Sequence, residues 1–212
     1  MLLPKVTKKM ESLIVFGAGG HGRVVADAAF LEGCWTNIVV TDGNASTCQG
    51  ELLPGFPLIQ EQSARKLVAV IHIAIGNNIA RQKIAATWNS QHLVSVVHPL
   101  AAVSRFSAIG FGCFVAAAAV VGPAANLGRC VIINHGAVVE HDVAIADFSH
   151  ISENAILGGH VKVGQRALIG PGVVVLPSLT IGEDVTVNPG AVVSGNLLQP
   201  GIYSGNPARK IQ

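Results

Sequence analysis

The sequence predicts two consecutive units, an α/β domain with a small parallel sheet and then an all-β parallel β-helix. Two observations predict this fold class. A six-residue repeat of aliphatic residues fills the second half, and apolar strands alternate with amphipathic helices in the first half. The aromatic residues support the division, because only Phe148 and Tyr203 are aromatic after Val115. We therefore place one domain at residues 10–95 and the other at residues 96–212.

The six-residue repeat is the stronger signal. It fits neither the period of a helix nor the alternation of a single strand, and it is typical of a β-helix with one hexad on each side of a three-sided coil. Three hexads form one coil, so the repeat predicts about five to six coils stacked roughly 4.8 Å apart. Val, Ile or Leu begins seventeen consecutive hexads, at Val97, Val103, Ile109, Val115, Val121, Leu127, Ile133, Val139, Ile145, Ile151, Leu157, Val163, Ile169, Val175, Ile181, Val187 and Val193.

The first half contains apolar segments separated by amphipathic ones. Strands that alternate with helices in this way predict a small parallel sheet. We expect strands at residues 13–16, 38–40 and within 67–75, and helices at residues 24–30 and 79–88, the second capped by Asn78. Residues 1–9 form an extension for which we expect no role.

The composition excludes several classes of protein. With 50% hydrophobic and 12% charged residues, the chain is not expected to be intrinsically disordered. The 14 Lys and Arg residues against 12 Asp and Glu residues give no basic excess for nucleic acid, and no apolar run is long enough for a membrane span. The four cysteines lack zinc-site spacing and an adjacent base, so Cys113 and Cys130 are not expected to be nucleophiles. We expect a cytoplasmic protein with reduced thiols.

A glycine-rich turn follows the first predicted strand. Gly17 to Gly22 form a GxGxxG pattern that opens a helix, where backbone N–H groups can bind phosphate. Asp42 ends the next strand, where a carboxylate can hold a ribose hydroxyl. A mononucleotide or nucleotide-sugar site fits better than the dinucleotide site of a dehydrogenase, because no second nucleotide-binding half fits before the β-helix. A tight turn that binds nothing is the remaining alternative.

Histidines and carboxylates are concentrated in the middle of the β-helix. The segments are Asn134-His135, Glu140-His141-Asp142 and Asp147-Phe148-Ser149-His150. His135 and His141 occupy the third place of consecutive hexads, so they lie on successive sides of the coil and cannot bind one metal ion within a single chain. Since no other metal-ligand spacing is present, we expect no metal cofactor.

His141 is the strongest candidate for catalysis. An imidazole with a pKa near 6.5 is a natural general base at neutral pH, and a neighbouring carboxylate (Asp142 or Glu140) can orient it. The third-place residues one coil away are Pro123 and Gly159, so no long side chain is expected to cover the His141 ring. The alternative is that these histidines are solvated residues on the surface of the prism.

Five segments together resemble the bacterial left-handed β-helix acyltransferases, specifically the nucleotide-amino-sugar N-acetyltransferases and sialic acid O-acetyltransferases. The segments are GAGGHGRVV, IGNNIARQKI, VVHP, NHGAVVEHDVAIADFSHIS and GNPAR, and the resemblance covers nearly the whole chain from about Ser12. It implies a Rossmann-like sheet that holds a nucleotide sugar, and a left-handed β-helix. It also implies a homotrimer with acetyl-CoA between neighbouring prisms, so that the active sites lie between subunits.

The resemblance further implies roles for individual residues. It implies His141 as the catalytic base, Asp142 as the carboxylate that orients it and Asn134 as a supporting amide. It implies that acetyl-CoA is bound by His150, Gly159, Pro171 and Pro189, and that the backbone N–H of Gly159 donates to the thioester oxygen. The nucleotide-sugar positions are Gly19, Gly20, His21, Thr41, Asp42, Gly76 and Asn77.

The predicted activity is acetyl-CoA-dependent N-acetylation of the 4-amino group of a UDP-linked amino-deoxysugar. The transfer is direct, without a covalent enzyme intermediate, and the resemblance implies a place in surface-polysaccharide or glycan biosynthesis. A sialic acid O-acetyltransferase with the same base is one alternative, and a non-catalytic nucleotide-sugar-binding scaffold is another. The sequence does not distinguish UDP from GDP or dTDP, nor one amino sugar from another.

Overall fold

The computed structural model describes residues 12–88 and 92–211. The predicted extension at residues 1–9 and the predicted domain start at residue 10 lie outside the described residues. No helix among the described residues is long and apolar enough to cross a membrane.

The first unit is built on a three-stranded parallel sheet with strand order β2-β1-β3. Residues 13–16 of the central strand are at most 2% exposed, which explains why this strand is a continuous apolar run. The elements are β1 (Ser12–Phe16), α1 (Gly20–Glu32), β2 (Ile38–Thr41), a 3-10 turn (Ala45–Thr47), α2 (Glu61–Ala64), β3 (Ala69–Ile73) and α3 (Asn78–Ala85).

The helix boundaries differ from those predicted from the sequence. Helix α1 begins at Gly20, within the glycine-rich pattern, and ends at Glu32, after which Gly33 has a left-handed φ of 68°. Helix α3 begins at Asn78 and ends earlier than predicted, and its cap is Asn77 rather than Asn78. The Asn77 side chain accepts a backbone hydrogen bond of the first turn, whereas the Asn78 side chain donates to two carbonyl oxygens of the β-helix.

The second unit is a parallel β-helix, and the six-residue repeat is confirmed at every step. All seventeen aliphatic positions lie in short strands, and paired residues on neighbouring coils are 18 apart, as in the pair Ile133 and Ile151. We call the three sheets the first, second and third faces.

The first face consists of β4 (Val96–Val97), β7 (Phe114–Val115), β10 (Ile132–Ile133), β13 (His150–Ile151), β16 (Leu168–Ile169), β19 (Val185–Val187), β21 (Gly201–Ser204) and β22 (Arg209–Lys210). The second face consists of β5 (Ala102–Val103), β8 (Val120–Val121), β11 (Val138–Val139), β14 (Ile156–Leu157), β17 (Val174–Val175) and β20 (Val192–Val193). The third face consists of β6 (Ala108–Ile109), β9 (Asn126–Leu127), β12 (Ala144–Ile145), β15 (Lys162–Val163) and β18 (Thr180–Ile181).

The chain turns from one face to the next through left-handed corner residues. At these corners the φ angles of residues other than glycine lie between 52° and 64°, at Ala118, Ala124, Cys130, Asp142, Phe148, Asn154, His160, Arg166, Ser178 and Asp184. Corners one coil apart are joined by backbone hydrogen bonds, such as that from His160 N–H to His141 O at 3.1 Å. The backbone of each corner is therefore held by the coils next to it.

The first face of the β-helix packs against the α/β unit. Phe114 and Ile132 of the first face share a hydrophobic core with Val25 and Ala29 of α1. The two units are therefore joined by apolar packing, and the first face is the one nearest to the glycine-rich turn.

Arg81 of α3 adds a polar link between the two units. This side chain is 1% exposed, and its guanidinium group donates to the carbonyl oxygens of Ile75, Gly76, Cys130 and Phe148 at 2.7–3.0 Å. Burial lowers the pKa of Arg81 to about 10, which leaves it charged at neutral pH. The two β-helix acceptors lie at corners, so one side chain fixes α3 against two coils.

Candidate active site

His141 lies at the corner that joins the second face to the third. It follows β11 of the second face and precedes β12 of the third. In a three-sided prism this corner is opposite the first face, which carries the α/β unit. His141 therefore points away from the glycine-rich turn of its own chain.

The His141 ring is positioned by two neighbours. Its Nδ1 lies 2.8 Å from Oδ2 of Asp142. A hydrogen bond from His141 lowers the pKa of Asp142, so the carboxylate is charged at neutral pH. The ring also lies against Gly159 one coil away, where a Cβ would come within 2.7 Å of it. The glycine thus leaves room for the ring, which stays half exposed.

A second histidine, His160, completes this cluster. Its Nε2 lies 3.7 Å from Oδ2 of Asp142, and its ring is edge-on to the His141 ring with centroids 5.3 Å apart. Sequence reasoning missed His160 because it stands alone in the sequence. The signal that finds it is the coil length, since His160 occupies the same corner place as Asp142, 18 residues later.

His150 and Asn134 form a separate group on the first face, beside the α/β unit. His150 Nδ1 lies 3.4 Å from the Gly76 carbonyl oxygen, and His150 Nε2 lies 3.4 Å from Asn134 Nδ2. The Asn134 amide also donates to Glu153 at 2.8 Å. Within one chain, this group does not meet His141, which lies at the opposite corner.

Burial keeps the histidines of the domain junction neutral. It lowers the pKa of His150 to about 4 and that of His21 to about 3, with nearby positive charges as smaller causes. The two rings are 6.5 Å apart, and the Nε2 atom of His21 is buried without a hydrogen-bond partner among the described residues. A neutral imidazole with a free nitrogen can accept or donate a hydrogen bond to a bound polar ligand.

Pro171 and Pro189 lie along the corner between the first and second faces. They follow β16 and β19 and are exposed, in the third place of their hexads. This is the corner that also carries Asn134, so the predicted acetyl-CoA edge runs continuously along the prism on the side of His150.

The glycine-rich turn leaves the N-terminus of α1 open. A Cβ at Gly19 or Gly20 would meet no atom within 4 Å, so the backbone there is accessible to a ligand. Asp42 supports the turn, because its Oδ2 accepts a hydrogen bond from Ala18 N–H at 2.9 Å. Thr41 is fully buried, and its Oγ1 has no hydrogen-bond partner among the described residues.

Two clefts flank the loops of the α/β unit. One, of about 560 Å³, lies between α3 and the first face and is lined by residues that include Gly76, Asn77, Arg166 and Thr186. The other, of about 360 Å³, lies beside Asp42 and is lined by Gly43, Gln60 and Arg65 among others. Polar loops and open cleft volume therefore meet at the ends of the strands, as nucleotide sites in α/β sheets do.

Comparison with protein families matches both units of the chain. A family model described as the PglD N-terminal domain matches residues 12–88, and one described as bacterial transferase hexapeptide (six repeats) matches residues 160–195. The UDP-N-acetylbacillosamine N-acetyltransferase of Bacillus subtilis (strain 168) is 33% identical over 108 residues, which cover 49% of this chain and 50% of that protein. The match thus spans about half the length of that curated relative.

Solved structures match nearly the whole chain. The acetyltransferase domain of PglB from Neisseria gonorrhoeae FA1090 is 36% identical with a TM-score of 0.86, over 94% of this chain and 99% of that chain. The same domain in complex with acetyl coenzyme A gives a TM-score of 0.88. A mutant of GDP-perosamine N-acetyl transferase from Caulobacter crescentus, in complex with CoA and GDP-perosamine, is 30% identical with a TM-score of 0.87, over 95% of this chain and 97% of that chain.

The fold and these matches define an acyltransferase built on a hexapeptide-repeat β-helix. The chain belongs to the left-handed β-helix N-acetyltransferase family whose members join a PglD-type N-terminal domain to that β-helix. The predicted fold class and the predicted family are confirmed.

Proposed function

We propose that this protein transfers the acetyl group of acetyl-CoA to the 4-amino group of a UDP-linked amino-deoxysugar. The observation that carries the proposal is the His141–Asp142 pair, held over Gly159 on an acyltransferase fold. When the charged Asp142 carboxylate accepts a hydrogen bond from Nδ1 of His141, Nε2 of the imidazole is left free to accept a proton. This is the arrangement that a general base requires.

The reaction proceeds by direct transfer. The neutral amine attacks the thioester carbonyl carbon, and His141 takes the proton that the amine nitrogen loses. The new C–N bond forms and the C–S bond breaks. The imidazolium of His141 gives its proton to the departing sulfur, so that CoA leaves as the thiol. Asp142 stabilises that imidazolium without itself becoming protonated, as carboxylates do in other base–carboxylate pairs. No metal takes part in these steps.

Gly159 supplies the oxyanion contact in this proposal. Its backbone N–H donates to no acceptor among residues 12–88 and 92–211, and the residue itself packs against the His141 ring. A donor at this place would stabilise the negative charge that develops on the carbonyl oxygen. Base and donor are then held on adjacent coils, which fixes the distance between them.

The position of His141 supports a homotrimer with active sites between subunits. Its corner faces away from the α/β unit of the same chain, so the base and that unit's nucleotide loops cannot act on one substrate within a monomer. A neighbouring prism that presents its own His141 corner to this chain's first face would join the two halves. Acetyl-CoA would then lie along the edge of Pro171 and Pro189, with His150 near its thioester.

The α/β unit is proposed to hold the nucleotide sugar. Gly19 and Gly20 at the open N-terminus of α1 suit the diphosphate, and the cleft beside Asp42 suits the nucleoside. His21, Gly76 and Asn77 then lie toward the sugar. The Bacillus relative is named for a UDP-sugar, whereas the Caulobacter structure contains GDP-perosamine. UDP is the nucleotide that we propose first. We also propose that the reaction takes place in the cytoplasm, where the four free thiols remain reduced.

The test is a substrate panel with purified protein. We would measure CoA release from acetyl-CoA with UDP-, GDP- and dTDP-linked 4-amino-4,6-dideoxysugars and with free sialic acid. The expected result is release with a UDP-linked amine and a drop of at least ~10²-fold in His141→Ala, with the trimer intact. Release with free sialic acid alone would instead assign O-acetylation, and near-wild-type turnover in His141→Ala would refute the role of the base.

A further inference from the structure

The cluster around the proposed base has a second property that acetyl transfer does not use. One ligand-type atom from each of His141, Asp142 and His160 lies within 4.8 Å of the other two. In the single chain, the exposed fractions of the three side chains are 51%, 44% and 61% respectively. They form an open set of two imidazoles and one carboxylate.

The backbone holds this set in place before any ligand arrives. Asp142 and His160 occupy the same left-handed corner place on adjacent coils, with φ angles of 59° and 61°. His160 N–H donates to His141 O at 3.1 Å, and Gly159 supports the face of the His141 ring. A bound ion would therefore require rotation of exposed side chains but no movement of the backbone.

The donor atoms match a transition-metal dication. Two ligands each about 2.1 Å from Zn²⁺ are at most roughly 4.2 Å apart. The distance between His160 Nε2 and Asp142 Oδ2 is 3.7 Å, and that between His141 Nδ1 and the same oxygen is 2.8 Å. Imidazole nitrogen suits Zn²⁺, whereas Mg²⁺ and Ca²⁺ prefer sets made only of oxygen. Three protein ligands would leave a fourth position for water.

We propose that His141, Asp142 and His160 bind a single Zn²⁺ ion that blocks the general base. The inhibitory part rests on the proposed function, because it assigns His141 as that base. An imidazole nitrogen that ligates the metal, or a ring held against it, is no longer free to take the amine proton. Zn²⁺ is in this role an inhibitor and not a cofactor. His160 supplies the third ligand of this site.

The binding test uses the full-length protein and does not depend on activity. Zn²⁺ is titrated calorimetrically into the metal-free wild type, into His160→Asn and into the control His98→Asn. Asn tolerates the left-handed corner, so His160→Asn retains the fold. We expect one Zn²⁺ per chain in the wild type and in His98→Asn, at least ~10-fold weaker binding in His160→Asn, and no binding of Mg²⁺. Equal affinity in wild type and His160→Asn would overturn the site.

The activity test separates the site from the proposed function. We expect Zn²⁺ to suppress thioester cleavage in the wild type and EDTA to restore it. In His160→Asn, the Zn²⁺ concentration that halves turnover, relative to that variant's own zinc-free rate, should be at least ~10-fold higher. Zinc binding that leaves wild-type turnover unchanged would overturn the inhibitory role. If no substrate supports transfer, weaker Zn²⁺ binding by His160→Asn in calorimetry still supports the metal site. In that case only the proposed function fails.

Discussion

Gly159→Ala tests whether the observed position of the His141 ring is the catalytic one. A Cβ at residue 159 would lie 2.7 Å from both Cε1 and Nε2 of His141 and 3.3 Å from Nδ1. Ordinary contacts between heavy atoms are about 3.5–4.0 Å, so the ring must move by roughly 1 Å. A misplacement of about that size costs roughly 10²-fold in rate. We therefore expect kcat/KM to fall about 10²-fold, equivalent to ~2.7 kcal/mol.

The fold should survive this substitution. The backbone of Gly159 is not in the left-handed region, and the clashing atoms belong to an exposed ring that can rotate. Gly195→Ala is the matched control, because a Cβ there would meet no atom within 4 Å. The measurements are initial rates of thioester cleavage and thermal unfolding of both variants. A Gly159→Ala enzyme with wild-type kcat/KM would refute the role assigned to the ring position.

Two further predictions concern stability. Arg81→Met should lower the free energy of unfolding by about 3 kcal/mol or more in urea titrations, since it leaves buried carbonyl groups without donors. The control is Lys83→Met, which changes an exposed residue on the same helix. An equal loss of stability in both variants would contradict the role of Arg81 between the two units. The free energy of unfolding should also fall as the pH is lowered from 6.5 toward 4. The reason is that His72 and His150 have pKa values of about 4 in the folded protein and His21 has one of about 3, whereas a histidine in the unfolded chain has a pKa of 6.5. In this window the unfolded chain binds more protons, so each histidine contributes a slope of up to about 1.4 kcal/mol per pH unit. Urea titrations from pH 7 to pH 5 should show this slope, with a smaller one in His72→Gln, and a flat profile would contradict the neutral buried rings.

The β-helix was predictable from the sequence because every hexad places its first residue, always Val, Ile or Leu, in the narrow core. Every step from Val97 to Val193 lies in a strand as predicted. Helix boundaries were less predictable, because Asn77 and Asn78 are equivalent as local capping residues. Only the β-helix carbonyls that accept from Asn78 decide between them.

The site was predictable where its residues are neighbours in sequence and not where they meet across coils. His141 and Asp142 are adjacent, and their contact was expected. Arg81 resembles a surface cation in the α3 sequence, and its burial depends on acceptors 49 and 67 residues away. The contact between His160 and Asp142 depends on the register of 18 residues, which places the fourth residue of one hexad beside the fourth residue of the hexad one coil later.

The uninterrupted repeat also limits how this molecule can vary in length. Pairs such as Ile133 and Ile151 stay in register only if chain is gained or lost in whole coils, or if added residues loop out at a corner. Between His141 and Gly159 neither change is neutral, since the imidazole touches the glycine across a single coil. Arg81 ties α3 to particular corners in the same region. Insertions and tags should therefore be tolerated best after Pro189, where they leave the catalytic spacing, the interdomain link and the proposed acetyl-CoA edge unchanged.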